Sequence, residues 1–151
     1  MSDERWTWQF DKTLPTQTGA GNGFVEELLR RLEENHWEQH DIFSIQLAME
    51  EALVNAIKHG NRMDAAKKVH VRCGMSPELL RVEVEDEGEG FDPTQVPDPT
   101  DPDQIENPHG RGILLMRTFM SRVEYNETGN RVLLEKRRVK ADEVDANQAM
   151  T

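Results

Sequence analysis

The sequence lacks features that would define several classes of protein. Cys73 is the only cysteine among 151 residues, which excludes an intrachain disulfide and a cysteine-based zinc site. No apolar run approaches the roughly 20 residues that a membrane-spanning helix requires. The acidic start at residues 1–5 is followed by no apolar signal segment. These absences predict a cytoplasmic protein with no membrane association.

Common catalytic motifs are also missing. The chain holds no G-x-x-x-x-G-K-[ST], and no G-x-G-x-x-G follows a predicted strand. It contains neither G-x-S-x-G nor H-E-x-x-H, and its five histidines do not cluster at zinc spacing. P-loop, dinucleotide-binding, serine-hydrolase and zinc-protease chemistry are therefore excluded.

Basic residues are scarce relative to acidic ones. Lys and Arg total 18 against 29 Asp and Glu, giving a formal net charge of −11. Such a surface repels phosphate backbones and anionic lipid, so we expect no nucleic-acid partner. Two explanations stay open: the acidity attracts a basic protein partner, or it only maintains solubility.

Hydrophobic periodicity predicts a single domain with an α+β fold. Period-two alternation predicts five strands, at 6–10, 69–73, 79–85, 123–125 and 132–136. Apolar residues at helical spacing predict three helices, at 24–37, 42–59 and 110–120. This order is typical of a two-layer sandwich, a mixed β-sheet covered on one face by three helices. We expect the domain to span 1–138 and a polar tail to occupy 139–151.

One long segment is predicted to lack regular secondary structure. Residues 91–108 hold five of the seven prolines together with several aspartates, so they form neither a helix interior nor a central strand. Long loops in compact domains are usually functional lids or disordered. We interpret 91–109 as a lid over a ligand site.

Polar residues recur at four-residue spacing near the end of the second predicted helix. Glu51, Asn55 and His59 therefore line one stripe of that helix. An amide oxygen suits a magnesium ion that keeps most of its waters and bridges phosphates. A carboxylate one turn earlier is placed to act as a base toward the attacking group. The alternative is an ordinary exposed helix face ending in C-cap residues.

A carboxylate followed by two glycines ends the third predicted strand. Asp86 shares the inward face of Val82 and Val84, where an unpartnered carboxylate is costly. The exocyclic amine of adenine is a suitable donor, and Gly88 and Gly90 let the backbone pass close to the base. The alternative is a strand that simply ends in a glycine-rich turn.

Two glycines open the last predicted helix. Gly110-Arg111-Gly112 presents free backbone N–H groups and a helix dipole that favour an anion. Arg111 adds a positive charge for a terminal phosphate, with a surface arginine as the alternative. Together, the three motifs describe a site for ATP and magnesium.

The ordered motifs resemble a known superfamily. Glu51…Asn55…His59, Asp86-x-Gly88-x-Gly90 and Gly110-x-Gly112 look like the N, G1 and G2 boxes of the GHKL ATPases. Within it, the chain is similar to the small anti-sigma-factor serine/threonine kinases of bacterial partner-switching systems. The resemblance covers about residues 24–136. It implies a histidine-kinase-like ATPase domain.

The resemblance also implies roles for individual residues. ATP and Mg²⁺ are the implied cofactors, with Glu51 as the catalytic base and Asn55 as the metal ligand. The implied nucleotide contacts are Asn55, Lys58, His59, Asp86, Gly88, Gly90, Gly110, Arg111, Gly112 and Ile113. The implied partners are a sigma factor, a STAS-type antagonist phosphorylated on Ser or Thr, and a second copy of the chain in a homodimer.

The chain departs from the family pattern in the closing hairpin. Members usually carry Gly-Thr-Thr there, whereas this sequence has Gly129-Asn130-Arg131. This departure motivates a second hypothesis from a different class, a non-catalytic ATP-binding module whose nucleotide-ordered lid controls the binding of a protein partner.

Overall fold

The computed structural model describes residues 6–90 and 108–138, with side chains in the second range described from Gly112 onward. The helices are α1 (Asn22–Glu34), α2 (Gln39–Val54), which continues directly into a π-helical turn (Asn55–Gly60), and α3 (Pro108–Phe119). The strands are β1 (Trp8–Pro15), β2 (Lys68–Met75), β3 (Leu79–Asp86), β4 (Arg122–Tyr125) and β5 (Arg131–Arg137). Among these residues, no helix has the length and apolar character needed to cross a bilayer.

The five strands form one sheet in the order β1-β2-β3-β5-β4. All pairings between the described strands are antiparallel. The predicted α+β class is confirmed, but the prediction of a mixed sheet is wrong in this detail. The chain leaves β3, passes through α3 to β4, and returns through a hairpin that inserts β5 between β3 and β4. Strands β3 and β4 thus run in the same direction without being neighbours.

The core lies between the sheet and the helices. Alternate residues of β2 and β3 face the helical layer, because successive side chains of a strand point to opposite faces. Each fully buried apolar side chain contributes about 1.5–3 kcal/mol relative to its exposed state. The largest contributors are Phe24, Leu28, Leu32, Ile45, Met49, Met75, Leu80, Met116 and Leu134. Cys73 belongs to this core, and burial raises the pKa of its thiol.

The opposite face of the sheet is charged. The Arg72 guanidinium lies 3.4 Å from Asp11 and 3.6 Å from Glu83. Glu135 pairs with both Arg81 and Arg122. These cross-strand pairs are compatible with water on one side of an antiparallel sheet.

Most element boundaries lie within a few residues of the predicted ones, but β1 (Trp8–Pro15) extends five residues beyond the strand predicted at 6–10. Helix α1 ends at Glu34, so the buried Trp37 lies beyond it. Helix α3 begins at Pro108, two residues earlier than predicted, and proline is well suited to a first helical turn. Residues 91–107 of the predicted lid and the predicted tail at 139–151 lie outside the described residues.

Candidate functional site

The end of α2 is distorted where the predicted ligands lie. Residues Asn55–Gly60 form a π-helical turn, an irregularity that often occurs at functional sites. Asn61 ends the turn with its backbone N–H 2.8 Å from the Ala56 carbonyl oxygen. The wider turn places Asn55, Ala56 and His59 on the wall of one pocket.

Asn61 joins this turn to the sheet. Its side chain is 1% exposed, and its Nδ2 donates to Thr16 Oγ1 and to the Lys68 carbonyl oxygen, both at 2.9 Å. Its Oδ1 accepts from the Glu87 N–H at 2.8 Å. The end of α2 is therefore held at a set position relative to the end of β3.

Asp86 ends β3 on the inward face, as predicted. The residue is 8% exposed, and its Oδ1 accepts a hydrogen bond from the Gly88 N–H at 2.8 Å. Burial raises the pKa of the Asp86 carboxyl to about 6, and nearby Glu85 adds to the rise while the Gly88 N–H and Lys67 oppose it. A buried carboxylate held by one backbone donor retains acceptor capacity for a ligand.

Glycines surround this carboxylate. A Cβ atom added to Gly60 would collide with the Asp86 carboxyl group, and one added to Gly88 would collide with the Gly60 carbonyl. Gly90 has a φ of +79°, and a Cβ there would collide with the Thr128 carbonyl. These backbones approach so closely that only glycine fits.

The hairpin between β4 and β5 forms another wall. Asn126 Oδ1 accepts from the backbone N–H groups of Gly129, Asn130 and Arg131 at 2.8, 3.1 and 3.2 Å, which holds the turn. Asn130 Nδ2 lies 3.3 Å from the Asp86 carbonyl oxygen, and the Asp86 N–H donates to the Asn130 carbonyl at 2.9 Å. The turn is thus tied to the residue that ends β3.

Together these elements enclose a pocket. Its lining residues are Ala52, Asn55, Ala56, His59, Gly60, Val84, Asp86, Gly90, Tyr125, Gly129, Asn130 and Val132. The cavity volume is about 30 Å³, roughly the space of one water molecule.

The start of α3 lies against the other end of this region. A Cβ atom added to Gly112 would lie 2.8 Å from Glu51 Oε2 and 2.9 Å from Asn55 Nδ2. Two of the predicted motifs therefore meet, although they are far apart in sequence. Gly112 is the fifth residue of α3, so it lies just past the first four backbone N–H groups, which have no partner within an α-helix.

Tyr125 is a pocket residue that the sequence analysis missed. Burial raises the pKa of Tyr125 to about 12, and its hydrogen bond with the Asn55 side chain opposes the rise. The hydroxyl therefore stays protonated near neutral pH. The alternation in β4 was the available signal, because Tyr125 lies two residues from the inward-facing Val123.

The predicted residues fall into three groups. The pocket brings together Asn55, His59, Asp86 and Gly90, with Gly88 packed against Gly60. Lys58 is exposed and lines a separate groove between α1 and α2, and Ile113 is a buried core residue. Gly110 lies in the first turns of α3, and the side chain of Arg111 lies outside the described residues.

The donor set fits a nucleotide with magnesium. Within residues 6–90 and 108–138, no three His, Cys, Asp or Glu side chains come together as a metal site. A magnesium ion would therefore depend on one amide oxygen, waters and substrate phosphates, which is a common way for proteins to bind Mg²⁺. The glycine-lined Asp86 carboxyl suits the amine of adenine.

By its fold and this pocket, the chain is a histidine kinase-like ATPase domain. The family model described as "Histidine kinase-like ATPase domain" matches residues 13–136. The chain belongs to this family, and the predicted relation to the GHKL anti-sigma-factor kinases is confirmed.

Curated relatives carry names consistent with that family. The chain is 27% identical to the serine/threonine-protein kinase BtrW of Bordetella bronchiseptica over 83% of this chain and 87% of the relative. It is 33% identical to the serine-protein kinase RsbW of Bacillus subtilis over 64% of each protein. It is 30% identical to the anti-sigma F factor of Clostridium perfringens over 64% of this chain and 73% of the relative. The chain thus spans less than two thirds of the Bacillus protein.

A solved structure shares the fold. The crystal structure of the RsbU and RsbW domains of Rv1364c from Mycobacterium tuberculosis superposes with a TM-score of 0.59 at 17% identity. The match covers 87% of this chain and 32% of that chain. At this identity, the likeness supports the fold alone.

Proposed function

We propose that the chain is an ATP- and Mg²⁺-dependent protein serine/threonine kinase that acts as an anti-sigma factor. Its substrate would be a Ser or Thr of a STAS-type antagonist protein, and it would act as a homodimer. The observation that carries the proposal is the meeting of Glu51 and Asn55 with Gly112 at the start of α3, beside the pocket that holds Asp86. The names of the relatives support the choice of substrate class.

The chain's own residues would divide the work as follows. The Asp86 carboxylate would accept a hydrogen bond from the adenine amine, with Gly60 and Gly88 packed closely around that carboxyl group. The N-terminal N–H groups of α3 would bind the phosphates. Asn55 Oδ1 would hold Mg²⁺, which supplies neutralisation of phosphate charge when bound.

Glu51 would act as the base. The substrate hydroxyl oxygen forms a bond to the γ-phosphorus, and its proton passes to the Glu51 carboxylate. The bond from the γ-phosphorus to the β–γ bridging oxygen breaks, and ADP leaves with those electrons. The new phosphate carries a charge of about −1.5 to −2, which would weaken the complex with the antagonist and leave the kinase free for the sigma factor.

The test compares two neighbouring glutamates. Glu51 lies beside Asn55 and Gly112, whereas Glu50 is an exposed neighbour that lines the separate groove between α1 and α2 and interacts with Gln46. We expect Glu51→Gln to reduce phosphate transfer from radiolabelled ATP to a STAS-type antagonist about 10²–10⁴-fold. Glu50→Gln is the matched control and should retain the wild-type rate.

Two outcomes would contradict the proposal. Equal transfer rates for Glu51→Gln and Glu50→Gln would remove Glu51 from the chemistry. ATP binding without any transfer by the wild type would instead favour the non-catalytic ATP-binding module. The observation in favour of that alternative is the Asn130 side chain, which lies in the hairpin turn that departs from the family pattern. Its Oδ1 accepts a hydrogen bond from Asn126 Nδ2, and its Nδ2 donates to the Asp86 carbonyl oxygen.

A further inference from the structure

The residue that follows Asp86 belongs to a closed ring of three hydrogen bonds. The Glu87 N–H donates to Asn61 Oδ1 at 2.8 Å. Asn61 Nδ2 donates to the Lys68 carbonyl oxygen at 2.9 Å, and the Lys68 N–H donates to Glu87 Oε1 at 2.7 Å. Each of these three residues therefore donates one hydrogen bond within the ring and accepts one. The ring joins the end of β3 to the end of the π-helical turn and to the start of β2.

Both carboxylate oxygens of Glu87 have a partner. Oε1 accepts from the Lys68 N–H, one residue beyond Val69, which forms the last pair of the β2–β3 register. Oε2 lies 3.5 Å from His70 Nε2, and His70 Nδ1 lies 3.3 Å from Thr13 Oγ1. The Lys68 N–H is the main cause that lowers the pKa of the Glu87 carboxyl group, with His70 acting in the same direction. The side chain of Glu87 is therefore held as a carboxylate against β2.

The direction of the Asp86 carboxylate depends on the backbone that this ring holds. Asp86 Oδ1 accepts from the Gly88 N–H at 2.8 Å, so the orientation of the carboxylate follows the backbone from residue 86 to residue 88. Glu87 is the middle residue of that segment. Its N–H is held by Asn61 and its side chain by β2, and a rotation of the segment would have to break both hydrogen bonds.

We propose that Glu87 is a positioning residue whose side chain holds the backbone after Asp86, so that the Asp86 carboxylate faces the exocyclic amine of the bound adenine. The inference rests on the proposed function, because it assumes that Asp86 accepts a hydrogen bond from that amine. Glu87 is an exposed residue, and it is not one of the described residues that line the pocket. Its effect on nucleotide binding passes through Asp86.

The test compares two nucleotides that differ at one position of the base. ADP carries the exocyclic amine, and purine riboside 5′-diphosphate has hydrogen in its place. By calorimetry in EDTA, we expect the wild type to bind ADP roughly 10- to 100-fold more tightly than the analogue, which is the range for a hydrogen bond to a charged group. In Glu87→Ala this ratio should fall about 3- to 10-fold, while the affinity for the analogue is unchanged.

Two further variants serve as controls. Glu87→Gln keeps an oxygen that accepts from the Lys68 N–H, so it should restore most of the wild-type ratio. Glu83→Ala removes another glutamate of β3, which lies 3.6 Å from Arg72 on the charged face of the sheet, and should leave the ratio unchanged. A merely structural role of Glu87 would lower the affinity for both nucleotides together.

The outcomes separate this inference from the proposed function. A wild-type ratio that persists in Glu87→Ala, or an equal loss of affinity for ADP and for the analogue in that variant, overturns this inference and leaves the proposed function in place. A Glu87→Gln protein that discriminates as poorly as Glu87→Ala removes the Lys68 contact from the explanation and overturns the inference as well. Failure of the wild type to bind either nucleotide overturns both.

Discussion

At the scale of single residues, Asp86 carries the most unusual electrostatics of the pocket. An aspartate normally has a pKa near 3.8, whereas burial raises that of Asp86 to about 6. The contribution of this residue to folding stability is thus fully present below about pH 3.8 and is lost as the pH rises through 6. At neutral pH the Asp86 carboxyl group is charged, and burial of that charge lowers the free energy of unfolding. A ligand that donates a hydrogen bond to the carboxylate offsets that loss.

The prediction at this scale concerns pH. Below about pH 6, Asp86 is protonated, and a neutral carboxyl group is a weaker acceptor for the adenine amine than a carboxylate. We expect ADP affinity in EDTA to fall from pH 8 to pH 5, by at most about tenfold per pH unit below 6 through this group. Calorimetry of wild type and Asp86→Asn measures it. Because the ADP phosphates also titrate, Asp86→Asn provides the baseline. Parallel pH profiles of the two proteins would contradict the prediction.

At the scale of elements, the site depends on the junction between the π-helical turn and the end of β3. Asn61 makes this junction through hydrogen bonds to Thr16, Lys68 and the Glu87 backbone. A buried amide with these partners stabilises strongly only while all of them are present. The distance between Asn55 and Asp86 is therefore set by the hydrogen bonds of Asn61 and not by either element alone.

The prediction at this scale compares two asparagines. Asn61→Ala leaves buried partners unsatisfied, so we expect it to lower the free energy of unfolding by about 2–4 kcal/mol. Asn35→Ala is the matched control, because its exposed side chain makes one hydrogen bond, to the Arg31 carbonyl, and should cost at most about 1 kcal/mol. Urea unfolding measures both. Equal losses in the free energy of unfolding for Asn61→Ala and Asn35→Ala would contradict the prediction.

At the scale of the whole molecule, the sheet has two unlike faces. One face holds the core and the pocket, while charged pairs cover the other. Cys73 points into the core at 4% exposure, and β2 is paired on both sides, by β1 and by β3. Its thiol is therefore reached only when a large part of the sheet opens, so its reactivity reports the stability of the whole domain.

The prediction at this scale uses that thiol. We expect alkylation of Cys73 to be slow without urea and to proceed through unfolding. ADP with Mg²⁺ at 100 times its dissociation constant should slow labelling about 100-fold, which corresponds to about 2.7 kcal/mol of added stability. The control is a cysteine at the exposed Lys12 in a Cys73→Ala background, which should label quickly with or without ligand. Fast labelling of native Cys73 would contradict the prediction.

Much of the fold was predictable because it depends on local patterns. The alternation of Val82, Val84 and Asp86 along β3 predicted their inward face, which the structure confirms. Apolar residues at helical spacing predicted the helix at 42–59, and Ile45, Met49 and Ala52 of that helix are buried in α2. The pairing of β3 with β5 was not predictable, because inserting β5 between β3 and β4 is a long-range choice.

The sequence by itself determined the class of domain and predicted the residues of the candidate site. Spacing along the sequence and the chemistry of the side chains were enough to single out Glu51, Asn55, Asp86 and the glycines. Only the tertiary structure decided that Tyr125 and Asn130 line the same pocket and that Lys58 lies elsewhere. Spacing in the sequence identifies residues that are neighbours on one element. The pocket instead forms where the π-helical turn, β3 and the closing hairpin come into contact. Those contacts depend on packing between segments that are distant in the sequence.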